Sequence, residues 1–154
     1  MGVSNRERIG KALDFLRQGL YFYAEQKMQA VYGHTWMIKA VSHLRDYQKS
    51  KQQVDDIIRE DVSALLMVVN REWDKVFKSS LSQPDRALVN ELLEVRNQWA
   101  HQSTFSTDDT YRAVDSVLRL LKSMSSSQVA EVEKQRQDVL RLLNQEQLRH
   151  EGPG

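Results

Sequence analysis

A chain of 154 residues with four histidines and no cysteine has a short menu of chemistry. Without thiols it has no disulfide scaffold, Cys-based zinc site, iron–sulfur cluster or cysteine nucleophile. It carries no HExxH pair, Walker loop or glycine-rich nucleotide fingerprint. Polar function concentrates in Glu94-Val-Arg-Asn-Gln-Trp-Ala-His-Gln, residues 94–102. On a helix, Asn97 and His101 are four apart and share a face, and Arg96 sits on the adjoining one. A slight opening of the last turn would gather these side chains round one anion. The plain alternative is that Arg96 pairs with Glu91, Glu94 or a neighbouring helix, and that His101 simply ends its own. His34 and His43 lie nine apart without a ligand partner nearby and read as surface or boundary histidines. Glu91 and Glu94 look like half of a di-iron bundle site, but the matching Glu-x-x-His pattern is missing. Neither a metal nor a cofactor is expected.

The elements that must position this segment are helices. Apolar residues make up 40% and charged residues 28%, with six Gly and two Pro, which fits a folded helical domain and argues against a disordered chain or a turn-rich β-sandwich. Ile9, Leu13, Leu16, Leu20 and Ala24 recur at three- and four-residue spacing behind a candidate N-cap at Asn5, and Met28 and Val31 prolong the stripe. Phe15, Tyr21, Phe22 and Tyr23 widen its apolar surface. Tyr32-Gly33-His34 reads as a break, with Gly33 suited to a C-cap. A shorter helix is expected from Trp36 to Leu44, then a polar stretch from Tyr47 to Gln53. The next helix carries Ile57 through Phe77 and starts either at Val54 or at Asp61. Ser79–Gln83 is a turn. Ser82 with Asp85 forms a short-acid capping box, tolerating Pro84, and opens the helix that ends near His101. Ser106 with Asp109 repeats that pattern. Ser123–Ser127 is a Ser-rich break before a last helix with Val129, Val132, Val139, Leu140 and Leu143. No period-two strand appears, so the fold class is an all-α helical bundle. Residues 4–147 read as a single domain and 148–154 as a tail or the start of a linker.

The balance of 22 Lys and Arg against 21 Asp and Glu gives +1, so no overall basic footprint for nucleic acid exists, although a local basic cleft is compatible with it. The longest apolar run, Ala64–Val69, is far short of the roughly 20 residues that cross a bilayer. The N-terminus lacks a signal-peptide apolar stretch, and Arg6 stands where myristoylation needs Ser or Thr. A soluble, cytoplasmic protein without a membrane partner is expected.

The Arg96-Asn97-Gln98-Trp99-Ala100-His101 segment resembles the Arg, polar residue, spacer, His signature of the HEPN superfamily, all-helical modules that bind nucleotides or cleave RNA. With Ser4-Asn-Arg-Glu-Arg-Ile-Gly-Lys-Ala-Leu and Asp108-Asp-Thr-Tyr-Arg-Ala-Val-Asp, it is similar to the Swt1-like branch, found at the N-terminus of large bacterial ATPase proteins of the DUF499 type, often near defence genes. The resemblance covers roughly residues 4–145, excluding a confident match over Tyr47–Glu60. It implies a HEPN-like fold and metal-independent RNA cleavage as an endoribonuclease, in a setting such as phage defence. His101 would take the proton of a ribose 2′-hydroxyl, Arg96 would stabilise the phosphoryl oxygens, and Asn97 would position one or the other, leaving a 2′,3′-cyclic phosphate and a 5′-hydroxyl. Two such sets meeting across a homodimer would complete the cleft. Gln102 and Arg112 are expected to contact RNA, with a salt bridge from Arg112 to Asp108 or Asp115 as the alternative. Trp99, seven residues after Leu92, is expected to be buried. The competing functions are a non-catalytic dimerisation or interaction module of a larger ATPase or helicase, and a nucleotide-binding regulator.

Overall fold

Hydroxyl and carboxylate caps set where the helices begin. In the computed structural model, which describes residues 2–45, 53–101 and 104–150, the Ser4 hydroxyl accepts the Glu7 N–H and opens α1 (Asn5–Tyr32). Asn5 is thus the first helical residue, and the cap lies one position earlier than expected. The buried stripe of α1 runs through Ile9, Leu13, Leu16, Leu20, Ala24 and Met28. It leaves through Tyr32, four residues after Met28, so Val31 is half exposed. Gly33 then turns the chain at φ +66° and ψ −149°, a backbone region open essentially only to glycine.

A 3-10 turn, Gly33–Thr35, leads into α2 (Trp36–Val41). The two candidate starts of the next helix are both real. α3 (Val54–Glu60) ends and α4 (Val62–Arg71) begins at Asp61, whose extended backbone (φ −106°, ψ 107°) caps both. Beyond α4 the chain widens into a π turn, Trp73–Phe77, closed by the Lys78 N–H on the Trp73 carbonyl at 2.8 Å. The wider turn lets Trp73, Val76 and Phe77 all face inward.

α5 (Gln83–Ala100) and α6 (Thr107–Ser123) each open with a complete capping box, Ser82 with Asp85 and Ser106 with Asp109. α6 closes in a Schellman motif: Ser126 N–H reaches the Leu121 carbonyl, and Ser125 takes the left-handed position at φ +51°. α7 (Val129–His150) buries Val132 and Val139, while Leu140 is exposed. The principal packed pairs are α6 on α7, α1 on α6 and on α4, and α5 between α4 and α6. Among the described residues no strand occurs, and no helix is long and apolar enough to cross a membrane. The architecture is an all-α bundle with α5 held against α1 and α4. The polar stretch through residue 52, Gln102 and the tail from residue 151 lie outside the described residues.

Candidate functional site at the end of α5

The last turn of α5 presents the polar segment, and three other parts of the chain hold it there. The His101 N–H bonds back to the Asn97 carbonyl at 3.1 Å, so the helix ends on the histidine itself. Asn97 and His101 are exposed, and among the described residues neither side chain has a hydrogen bond within the chain. Both are therefore open to a ligand or a second molecule.

Arg96 points elsewhere. Its Nη2 lies 3.5 Å from Asp61 Oδ1 at the start of α4, and 29% of its side chain is exposed. It lines a cleft of about 230 Å³ between α1, α4 and α5, walled by Gly10, Leu13 and Trp99 and bearing Asp14, Arg17 and Glu60. His101 is not among the residues lining that cleft. Arg96 and His101 thus share a helix end but look out on different surroundings in the isolated chain. The pairing of Arg96 with a neighbouring helix is realised through Asp61; Glu91 and Glu94 are engaged by other residues.

Trp99 sits between the two. Its Nε1–H donates to the Arg6 carbonyl at 3.1 Å, and Arg6 Nη1 donates to the Trp99 carbonyl at 2.5 Å. The Arg6 guanidinium lies 4.6 Å from the indole centroid, a cation–π contact. The indole also rests against Gly10, where an added Cβ would come within 3.1 Å of Cζ2. The expected burial of Trp99 is only partial, because a guanidinium rather than core side chains covers part of the ring. Next to Arg6, Asn5 Nδ2 donates to the Phe105 carbonyl at 3.1 Å and to Thr107 Oγ1 at 3.3 Å. The N-terminal block consequently grips both the last turn of α5 and the chain that leads into α6.

Arg112 is exposed and pairs with Glu91 on α5, through Nη2 at 2.6 Å and Nε at 3.1 Å to one carboxylate oxygen. This hydrogen bond and the Glu91 charge raise the guanidinium's already high pKa. The other Glu91 oxygen accepts from Ser116. Neither Asp108 nor Asp115 provides the salt bridge; Asp115 instead pairs with Arg119 at 2.7 Å and Arg136 at 3.6 Å. His43 has a partner the sequence did not suggest, the buried carboxylate of Glu72, which also accepts from the Tyr32 hydroxyl at 2.5 Å. Among the described residues no group of three or more His, Asp or Glu could hold a metal ion.

Arg6, Arg17 and Asp61 complete the surroundings of the motif, although the sequence alone does not single them out as site residues. Arg6 lies in the N-terminal block that carries the resemblance, and only the packing of α1 on α5 brings it to the indole. Asp61 was visible as a possible helix start, but nothing in its local spacing pointed to Arg96. Compared with protein-family models, residues 11–125 match the Swt1-like HEPN model. No curated protein matches, and no solved structure does.

Proposed function

The chain belongs to the Swt1-like HEPN family, and from that premise we propose that it is a metal-independent endoribonuclease module acting as a homodimer. The observation that carries this reading is the intact Arg96-Asn97…His101 set at the solvent-facing end of α5, with Asn97 and His101 free of partners among the described residues. The imidazole of His101 takes the proton from a ribose 2′-hydroxyl. That oxygen attacks the adjacent phosphorus, and the bond to the 5′-oxygen breaks. Arg96 offers its planar donor fork to the non-bridging oxygens as their charge grows, and Asn97 orients the imidazole or the phosphate. A histidine suits the base because its reference pKa is about 6.5. The departing 5′-oxygen needs a proton, which the second subunit's copy of the same histidine supplies. The products are a 2′,3′-cyclic phosphate and a 5′-hydroxyl. Gln102 and Arg112 belong to the wider RNA contact, and the setting is a larger ATPase protein in phage defence.

The test is incubation of labelled single-stranded and structured RNA, tRNA included, with a chelator present. Wild type should cleave. His101→Ala and Arg96→Gln should each lose at least about 100-fold, the lower end of what a positioned acid–base group contributes. Both sites are exposed or partly so, and circular dichroism should report an intact fold. Cleavage that persists in His101→Ala, or none by any form, overturns the nuclease reading.

The engagement of Arg96 by Asp61 favours a second reading, a non-catalytic dimerisation module or nucleotide-binding regulator. Arg96-dependent heat on titration with a nucleotide, without RNA cleavage, would select it.

A further inference from the structure

We infer that Asp61 is a resting dock for Arg96, a positioning residue that holds the guanidinium in the RNA-free protein and competes with substrate phosphate for it. The inference rests on the nuclease reading for the identity of the phosphate, and on the geometry of the dock for everything else.

The dock has an uneven set of bonds. Asp61 Oδ1 accepts the Ser63 N–H at 2.9 Å and the Ser63 hydroxyl at 2.6 Å, and the same oxygen meets Arg96 Nη2 at 3.5 Å. Arg96 is the third and most distant donor on an oxygen already committed to capping α4. Removing Arg96 therefore strands no charge, because Asp61 keeps both Ser63 donors and the positive end of the α4 dipole. The other guanidinium of the cleft is held more firmly. Arg17 donates through Nε to Asp14 at 3.0 Å and through Nη1 to the Arg59 carbonyl at 3.1 Å. Arg96 is thus the more readily released of the two.

The cleft charges point the same way. Arg17 and Arg96 face Asp14, Glu60 and Asp61, an acidic excess that offers phosphate nothing until Arg96 turns out. A partly exposed one-point ion pair is cheap to open, whereas a phosphate can take the guanidinium fork through two parallel bonds. Asp61 consequently sets a threshold. It keeps Arg96 beside the start of α4, and it yields only to an anion of higher hydrogen-bonding capacity.

Asp61→Asn isolates the dock from the cap. Asparagine caps a helix about as well as aspartate, so the melting temperature should hold. Binding should be measured by fluorescence polarisation with a labelled single-stranded 2′-O-methyl RNA, which carries phosphates but no nucleophile. Asp61→Asn should bind about two- to five-fold more tightly, the scale of one lost surface ion pair. The gain should vanish in the Arg96→Gln background. On cleavable RNA the same variant should lower KM by that factor and leave kcat unchanged, and Asp61→Glu should restore most of the wild-type value. Equal affinity of Asp61→Asn and wild type, weak binding of both included, overturns the dock. So does an equal gain in the Arg96→Gln background. Cleavage with no effect of Asp61→Asn removes the dock and leaves the nuclease standing. An Arg96-dependent gain in binding without any cleavage removes the nuclease and leaves the dock on a phosphate-binding site.

Discussion

At the scale of single residues, the site is a helix end whose parts have different keepers. His101 and Asn97 are left to solvent, Arg96 is held by Asp61, and Trp99 is clamped by Arg6. The Arg6 clamp combines a cation–π contact with a charge-assisted hydrogen bond to a carbonyl. Arg6→Ala should therefore cost about 1–2 kcal/mol in urea unfolding, more than an ordinary surface substitution. Arg6→Lys should recover only part of this, since an ammonium neither stacks flat nor reaches with a fork. A loss within experimental scatter for Arg6→Ala would show that the contact is incidental. These residues also explain what was legible. That Arg96, Asn97 and His101 lie together at one helix end could be read because they follow one another at short spacing. The Arg6–Trp99 and Asp61–Arg96 partnerships could not, because they form only when α1 and α4 are laid against α5. The same holds for Arg112, whose flanking aspartates were the obvious local partners; the approach of α6 to α5 gives it Glu91 instead.

At the scale of elements, caps and apolar spacing were readable and local departures from the ideal helix were not. Both capping boxes and the glycine break at Gly33 stand where the sequence placed them. Asp61 is readable as one of two alternative starts but not as a split between two helices, and the π turn at Trp73–Phe77 escapes periodicity, because a single extended residue or one wider turn disturbs the apolar pattern too little. A close approach is likewise silent in spacing. Gly19 lies mid-helix in α1, where glycine is normally a liability. Its missing Cβ makes room for α6 and the chain after it: a methyl there would fall 2.6 Å from Leu121 Cδ2 and 2.5 Å from Ser126 Oγ. Gly19→Ala gains about 1 kcal/mol in helix propensity and should lose about 1–3 kcal/mol to overpacking, so the net effect should be a lower melting temperature. A rise in melting temperature would mean that α1 and α6 separate freely at this point.

At the scale of the whole molecule, one buried carboxylate ties three parts of the bundle together, and the proposed nuclease reaction calls for a second chain. Burial pushes the Glu72 carboxyl up, but hydrogen bonds from Tyr32 and His43 and the nearby charge of Lys39 outweigh it and hold the group below its ordinary value of 4.5. The ionised carboxylate can only accept, so Nε2 of His43 carries the proton of that bond. Tyr32, pushed up to about 12 by burial and by Glu72, stays a neutral donor. A depressed carboxyl stabilises the fold fully above its unfolded value and loses that contribution as pH falls through the folded one. The melting temperature should therefore fall as pH drops below the ordinary carboxylate range. Glu72→Gln should melt lower at neutral pH with a shallower acid slope, and Asp85 and Glu133, also held low, should contribute to the slope that remains. An unchanged slope in Glu72→Gln would exonerate the cluster. In the proposed reaction, proton accounting is what asks for that second chain. On that reading one His101 takes the 2′-hydroxyl proton, the leaving 5′-oxygen takes up a proton of its own, and Asn97 is no acid. A two-fold cleft would supply a second imidazole, and a net charge of +1 sets little repulsion between two copies. If both histidines act in one cleft, a mixed dimer of wild type and His101→Ala is dead. After subunit exchange with a four-fold excess of the variant, cleavage should fall to about 4% of the undiluted rate, the share of all-wild-type dimers, against about 20% for independent subunits. Sedimentation should show dimers throughout. A linear fall to the larger figure, or a monomer at micromolar concentration that cleaves RNA, would mean that each chain carries its own acid and base, and that the proton for the leaving oxygen comes from elsewhere on the same helix end.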